Sequence, residues 1–129
     1  MKNFSKSYAE VQMLLINLEK TTVSYEENAQ QTEADSRALI NVFEKTFDAF
    51  CALIAEYLKT HHKNFASGGS PKEIIENAYK AGFLADHDTK TLIQAVKDAG
   101  HVLASHNDLI HNLETYIQTM QTIVNEIKP

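Results

Sequence analysis

Apolar residues recur at helical spacing along most of the chain, and no stretch alternates with the period of two for long enough to form a strand. The first periodic segment predicts a helix from about Phe4 to about Thr22, followed by a polar stretch over Ser24–Asp35 that is either a connection or a frayed helix. The second segment is the longest and carries an aromatic stripe between Leu39 and Leu58. Because it is apolar over much of its circumference, we expect this helix at the centre of a bundle.

Capping signals bound a third helix. Ser70 is a candidate N-cap, Pro71 takes the first helical position, and Glu73 completes a capping box. Gly82 is a natural C-terminal stop. A glycine-rich phosphate cradle in the same segment is disfavoured, because the spacing of a phosphate-binding loop is absent and no strand precedes it.

Two more periodic segments complete the chain. A fourth helix is predicted after Asp86-His87-Asp88, with its apolar positions continuing to Leu103. Asn107 or Asp108 is the predicted N-cap of the last helix, whose stripe runs over Leu109–Ile127. Since the connections are short, we predict one domain over residues 1–129, an all-α antiparallel up-and-down bundle of four to five helices.

Composition agrees with one helical domain. The 129 residues include only four glycines and two prolines, too few turn residues for a fold of many short strands. The formal net charge is −5 and Arg37 is the single arginine, so binding to nucleic acid is not expected. The lone Cys51 excludes an intrachain disulfide and lies on the apolar side of the second helix, where we expect it to be packing.

The ends of the chain and its longest apolar run bear on location and assembly. The N-terminus lacks the apolar core of a signal peptide, and Ala49–Ala55 is too short to span a bilayer. We therefore expect a cytoplasmic protein with no membrane association. The stripes over Leu39–Leu58 and Leu109–Ile127 are wider than a monomer of this size needs, which predicts a homodimer.

The six histidines are the main candidates for metal ligands. The pairs Asp98–His101 and Asp108–His111 place a carboxylate and an imidazole three residues apart, as in di-iron bundles, with Glu44 and Glu56 as conceivable partners. The di-iron motif uses buried glutamates, whereas the flanking residues here indicate exposed helix ends. We therefore expect no metal and no cofactor.

Several motifs together resemble those of the nucleotidyltransferase substrate-binding family of the HEPN superfamily. They are Ala38–Asp48 with its Phe-Glu-x-x-Phe core, Ser70–Ile75, Ala78–Leu84 with its aromatic-x-x-Gly turn, and Ala104–Asn107 with its Ser-His turn. The resemblance implies a homodimeric helical bundle that docks a minimal nucleotidyltransferase, encoded beside it as a two-component enzyme or a toxin–antitoxin module. It covers roughly residues 4 to 127 in order and spacing.

The chain departs from the ribonucleases of that superfamily. Their Arg and His motif is matched only at His106, no arginine follows Arg37, and His101 occupies the arginine position. A histidine can move a proton but lacks the guanidinium fork that holds a phosphate. We therefore expect a non-catalytic subunit. The alternatives are a ribonuclease toxin with a degenerate motif, using His106 as general acid or base, and a helical scaffold with no nucleotide link.

A ligand, if one binds, is expected where the fourth predicted helix gives way to the last. The N–H groups at a helix start favour a phosphate, although Asp98 and Asp108 bring negative charge to the same region. We expect weak nucleotide binding that depends on the partner. The predicted ligand-binding residues are Lys97, His101, His106 and Asn107.

Overall fold

The computed structural model describes residues 4–65, 69–99 and 103–129, with the side chains of 103–106 excepted. The described residues form six α-helices and no strand: α1 (Phe4–Glu27), α2 (Glu33–His61), α3 (Pro71–Lys80), α4 (Asp86–Ala99), α5 (Leu103–His111) and α6 (Leu113–Glu126). A short 3₁₀ turn covers Lys63–Phe65. The predicted all-α bundle is confirmed, with six helices instead of four to five.

Helices α1 and α2 form a long antiparallel hairpin. At one end the Tyr25 hydroxyl lies 2.8 Å from Ser36 Oγ, and at the other the rings of Phe4 and Tyr57 are 6.4 Å apart. Helix α6 packs against α1, α3 and α5 pack against α2, and α4 packs against α3, α5 and α6. This arrangement leaves α2 as the central element, as its broad apolar surface predicts.

The hairpin is tighter than the sequence predicted. Most of the polar segment over residues 24–35 is helical, and only residues 28–32 connect α1 to α2. Helix α2 begins at a capping box in which Asp35 N donates to Thr32 Oγ1 at 3.1 Å and Thr32 N donates to Asp35 Oδ2 at 3.0 Å. Of the two interpretations of this stretch, the connection was too long, because an exposed helix end needs few apolar residues and periodicity does not reveal it.

The predicted bounds of α3 are confirmed. Ser70 Oγ accepts from the backbone N–H of Glu73 at 3.3 Å, and Pro71 is the first helical residue. Beyond the last turn, Gly82 takes φ +78°, and Phe83 N donates to the Ala78 carbonyl at 3.0 Å. The left-handed glycine closes the helix as sequence reasoning expected.

The end of the chain differs most from the prediction. Asn107 and Asp108 lie inside α5 and do not cap the last helix. The break falls at Asn112, whose side-chain amide donates to the Asp108 carbonyl at 3.0 Å and makes no cap hydrogen bond to α6. An asparagine that binds the preceding turn competes with continuation of the helix, which explains the interruption. Leu103, predicted in the fourth helix, belongs to α5.

The two apolar stripes that predicted a homodimer are the core of a single chain. Buried residues run along α2 from Leu39 to Leu58 and along the C-terminal segment from Leu109 to Ile127. Within this core the ring centroids of Phe43 and Phe47 are 5.5 Å apart, and Cys51 is 2% exposed. The predicted packing role is therefore confirmed for the aromatic stripe of α2 and for Cys51. The homodimer stays a prediction, and these stripes are not its interface.

No helix of the described ranges combines the length and the hydropathy that crossing a bilayer requires.

Candidate functional site

Two of the predicted ligand residues lie on α4 and α5, two helices that pack against each other. Lys97 is exposed in the last turn of α4, and Asn107 is exposed on α5. His101 lies outside the described residues. The backbone of His106 is helical within α5, and its side chain lies outside the described part. The structure thus positions two of the four predicted ligand residues, one on each helix.

The helix start that was to bind a phosphate is not where the sequence placed it. Asn107 is the fifth residue of α5, so the free N–H groups that precede it, those of residues 103–106, belong to the start of α5 and not to the start of the last helix. Helix α6 offers its first N–H groups only after Asn112. An anion at this junction would therefore meet the first turn of α5 and side chains such as Lys97, and not the start of the last helix.

Asp98 is the main electrostatic difference from the prediction. Its side chain is buried, 4% exposed, and does not present its charge to the surface beside Lys97. The Tyr116 hydroxyl donates to Asp98 Oδ2 at 2.6 Å, and Gln94 Nε2 donates to Oδ1 at 3.0 Å. The sequence predicted that Asp98 would present its negative charge to an anion at the surface. This was wrong, because both of its carboxylate oxygens accept hydrogen bonds from side chains of the bundle.

The surroundings of Tyr116 favour its protonated phenol, which is the form that donates to the buried carboxylate of Asp98. Burial raises the pKa of its phenol well above the ordinary value, and the hydrogen bond to Asp98 and the charge of that carboxylate raise it further. A side-chain hydrogen bond with Asn112 acts in the opposite direction, and the charge of Asp108 adds to the increase. The Phe43 ring lies 6.1 Å away and closes the apolar side.

This network ties α4 to α6, and sequence reasoning missed it. The signal that would have found it is the register of α4, where Leu92, Ala95 and Asp98 follow one another at steps of three on the buried side. A carboxylate on an apolar stripe needs a donor from another element. The sequence does not say which residue supplies it, since Tyr116 is 18 positions away.

The di-iron arrangement does not form in the part of the chain that the structure describes, where no three metal-ligating side chains converge. Asp98 is engaged by Tyr116, and Glu44 is exposed on α2. Asp108 and His111 are both exposed on α5.

A shallow groove lies beside the junction, between α2, the start of α3 and the end of α4. Its volume is about 230 Å³. Its floor is apolar, but Glu44 and Asp48 on one wall are exposed carboxylates. These two acids and the exposed Asp108 on α5, and not the buried Asp98, are the negative charges that an anion near the last turn of α4 would meet. The lining residues are Glu44, Phe47, Asp48, Pro71, Val96 and Ala99.

A larger and more apolar groove separates α1 from α6, with a volume of about 460 Å³. Met13 is 67% exposed and Ile16 49% exposed along one wall, while Gln121 and Asn125 form the other. Sequence reasoning missed this surface because it followed only the stripe of α1 that was expected to be buried. The signal was present, since two large apolar residues of α1 fall outside that stripe.

No protein-family model matches the chain, and no curated protein is significantly similar to it in sequence. The fold matches the crystal structure of the protein ttk003001694 from Thermus thermophilus with a TM-score of 0.75. The two chains are 22% identical over an alignment that covers 92% of this chain and 99% of the other. At this identity the likeness shows a shared helical fold.

Proposed function

We propose that the chain is a non-catalytic helical subunit that binds a minimal nucleotidyltransferase and contributes to holding its nucleotide substrate. The partner class comes from the resemblance described above. The observation that carries the proposal is the agreement between three of the four motifs of that resemblance and the positions that those residues take in the bundle. The fourth motif, Ala104–Asn107, was expected to form a turn before the last helix and lies instead within α5.

The motif residues occupy positions that define the bundle. Phe43 and Phe47 of the Phe-Glu-x-x-Phe motif stack inside the core. Ser70 caps α3, and Gly82 ends the aromatic-x-x-Gly turn with a positive φ. Residues that a family shares for structural reasons are expected at such places, which supports the fold part of the resemblance and, through it, the proposed partner.

The charges at the α4–α5 junction favour a nucleotide site that is completed by the partner. Lys97 is an exposed cation, and Asn107 on the neighbouring helix offers an amide donor. Glu44 and Asp48 on the adjacent groove oppose a phosphate. Asp108 beside Asn107 is a third exposed acid. The chain alone therefore offers one cation against three acids, and a second protein has to supply the remaining positive charge.

The proposal is tested by capture from the native host with the full chain as bait. Recovery of a small nucleotidyltransferase in stoichiometric amount is the expected result. Its absence, when the bait is folded by circular dichroism, contradicts the proposal and leaves the scaffold without a nucleotide link.

The ligand part is tested by titrating ATP into the chain alone and into the captured complex. Binding is expected only in the complex, and Lys97→Ala or Asn107→Ala weakens it. Lys90→Ala is the matched control, because Lys90 is an exposed lysine of α4 that pairs with Asp86 at 3.2 Å, away from the junction. Tight binding by the isolated chain that ignores Lys97 would show that the site lies elsewhere.

The ribonuclease alternative has its own test. Purified chain is incubated with RNA beside the His106→Ala variant. The proposal expects no cleavage by either protein, and cleavage that His106→Ala abolishes would establish an enzyme in its place.

A further inference from the structure

Two carboxylates on one flank of α2 are not paired with a cation in the part of the chain that the structure describes. Glu44 and Asp48 are exposed and four residues apart, so their Cβ atoms lie about 5–6 Å from each other on the helix surface. Neither forms an ion pair with a described residue. Like charges at this spacing destabilise a helix, and a cation placed between them removes the repulsion.

An apolar groove lies directly beside this pair. Glu44 and Asp48 form one wall of the groove of about 230 Å³ between α2, the start of α3 and the end of α4. Phe47 is 4% exposed and closes the floor, while Val96 and Ala99 are half-buried on α4. The groove therefore complements a ligand that is apolar along its length and positively charged at the edge that faces α2.

We propose that this groove binds a segment of a partner protein in which an arginine is flanked by apolar residues. The guanidinium lies between Glu44 and Asp48, and the apolar side chains cover the floor around Phe47. The identity of the partner as a nucleotidyltransferase rests on the proposed function, whereas the chemistry of the segment rests on the groove alone. The inference adds the docking surface and the type of residue that recognises it.

The spacing of the two carboxylates selects an arginine over a lysine. A guanidinium is planar and carries five N–H donors, so it donates to two carboxylates one helical turn apart, whereas an ammonium is a single point charge. The aliphatic stem of an arginine also packs on apolar surface. A second copy of this chain does not supply the group, because the single arginine, Arg37, already pairs with Glu33 at 2.9 Å.

Occupation of the groove also gives a reason why nucleotide binding needs the partner. A guanidinium between Glu44 and Asp48 offsets part of their negative charge and so reduces the repulsion of a phosphate near the last turn of α4. Val96, which lines the groove, directly precedes Lys97, the proposed phosphate ligand. The docked segment and the nucleotide are therefore neighbours, and the partner brings the positive charge that the chain alone lacks.

The groove is tested with a defined peptide, N-acetyl-Leu-Arg-Leu-amide, titrated into the full chain. Binding is followed in two-dimensional NMR spectra by the backbone amide signals of Asp48, Val96 and Ala99, which line the groove and are expected to shift and saturate together. Glu44→Gln combined with Asp48→Asn is expected to weaken binding about 10-fold or more, because the charge-assisted hydrogen bonds are lost while the shape is kept. Both side chains are exposed, so the double variant is expected to keep the helical circular dichroism of the wild type.

Two controls isolate the charge and the place. The same peptide with citrulline in place of arginine keeps the shape without the charge, and it is expected to leave the three signals unshifted. Glu26→Gln combined with Glu27→Gln removes two exposed carboxylates at the end of α1 and is expected to leave the affinity for the arginine peptide unchanged. The proposal is overturned if the citrulline peptide binds equally well, if the arginine peptide causes no shift up to its solubility limit, or if Glu44→Gln with Asp48→Asn binds it like the wild type.

The capture experiment separates this inference from the proposed function. Glu44→Gln combined with Asp48→Asn is expected to reduce the amount of nucleotidyltransferase that the bait recovers. Undiminished recovery with the double variant overturns the groove as the docking surface and leaves the proposed function in place. Absence of any nucleotidyltransferase with the wild-type bait contradicts the proposed function, while the peptide titration still decides whether the groove binds an arginine segment.

Discussion

The hydrogen bond from Tyr116 to Asp98 offers a direct measurement of what holds α4 against α6. We expect Tyr116→Phe to destabilise the chain, because it removes the hydroxyl that donates to Asp98 Oδ2 at 2.6 Å and changes little else in the packing. Tyr116 is 2% exposed and Asp98 4%, so water does not readily replace the lost donor.

The expected magnitude follows from the burial and the charge. A hydrogen bond to a charged group contributes about 1.5–3 kcal/mol, and Gln94 Nε2 remains on the other carboxylate oxygen of Asp98. We therefore expect a loss of about 2 kcal/mol in the free energy of unfolding. For a chain of 129 residues this corresponds to a decrease of roughly 7 °C in Tm.

The assay is urea unfolding followed by helical circular dichroism, combined in a double-mutant cycle with Asp98→Ala. The coupling energy between the two positions is expected to be about 2 kcal/mol. Tyr79→Phe is the control, because that side chain is 46% exposed and its ring stays in place. A Tyr116→Phe variant within about 0.5 kcal/mol of the wild type would refute the reasoning, since this is the spread of ordinary surface changes.

Three further predictions concern stability. Burial, with a smaller contribution from the charge of Asp48, raises the pKa of Cys51 to about 12, so the folded chain holds the thiol proton at pH values where the unfolded chain has lost it. The free energy of unfolding should therefore decrease with rising pH from near pH 9, and Cys51→Ala should make this decrease shallower by about 1.4 kcal/mol per pH unit. Thr32→Ala should cost about 1 kcal/mol by opening the capping box of α2, while Thr32→Ser retains it, as chemical denaturation would report. Gly82→Ala should cost about 1 kcal/mol through its φ of +78° alone, because an added Cβ meets no atom within 4 Å, and Gly82→Asn should cost less in the same assay.

Periodicity and capping chemistry predict the parts of the fold that local sequence determines. The central helix follows from the aromatic stripe around Phe43 and Phe50, which only a buried face explains. The bounds of α3 follow from Ser70 and Gly82, whose roles depend on their immediate neighbours. Such features need no knowledge of the rest of the chain.

The features that were missed depend on tertiary context or on competing local signals. Asn107 and Asn112 are both acceptable caps, and only the hydrogen bond of Asn112 to the Asp108 carbonyl shows where the helix breaks. Asp98 is a charged residue that sequence reasoning places in solvent by default, and Tyr116 from another helix makes its burial tolerable. Residues far apart in sequence supply what each position lacks.

Burial of Asp98 also gives the neighbouring residue its orientation. Consecutive helical residues point about 100° apart, so fixing Asp98 inward against Tyr116 turns Lys97 outward at the end of α4. Loss of the Tyr116 hydroxyl should therefore affect two measurements, the stability of the bundle and the binding of ATP by the proposed complex with a nucleotidyltransferase. Lys97→Ala should weaken that binding while leaving the free energy of unfolding within about 0.5 kcal/mol of the wild type, because the side chain is exposed. If Tyr116→Phe destabilises the bundle and the proposed complex still binds ATP as tightly as before, the hydrogen bond that fixes the rotation of α4 about its axis is not needed for ATP binding. Lys97 would then contact the ligand independently of that hydrogen bond.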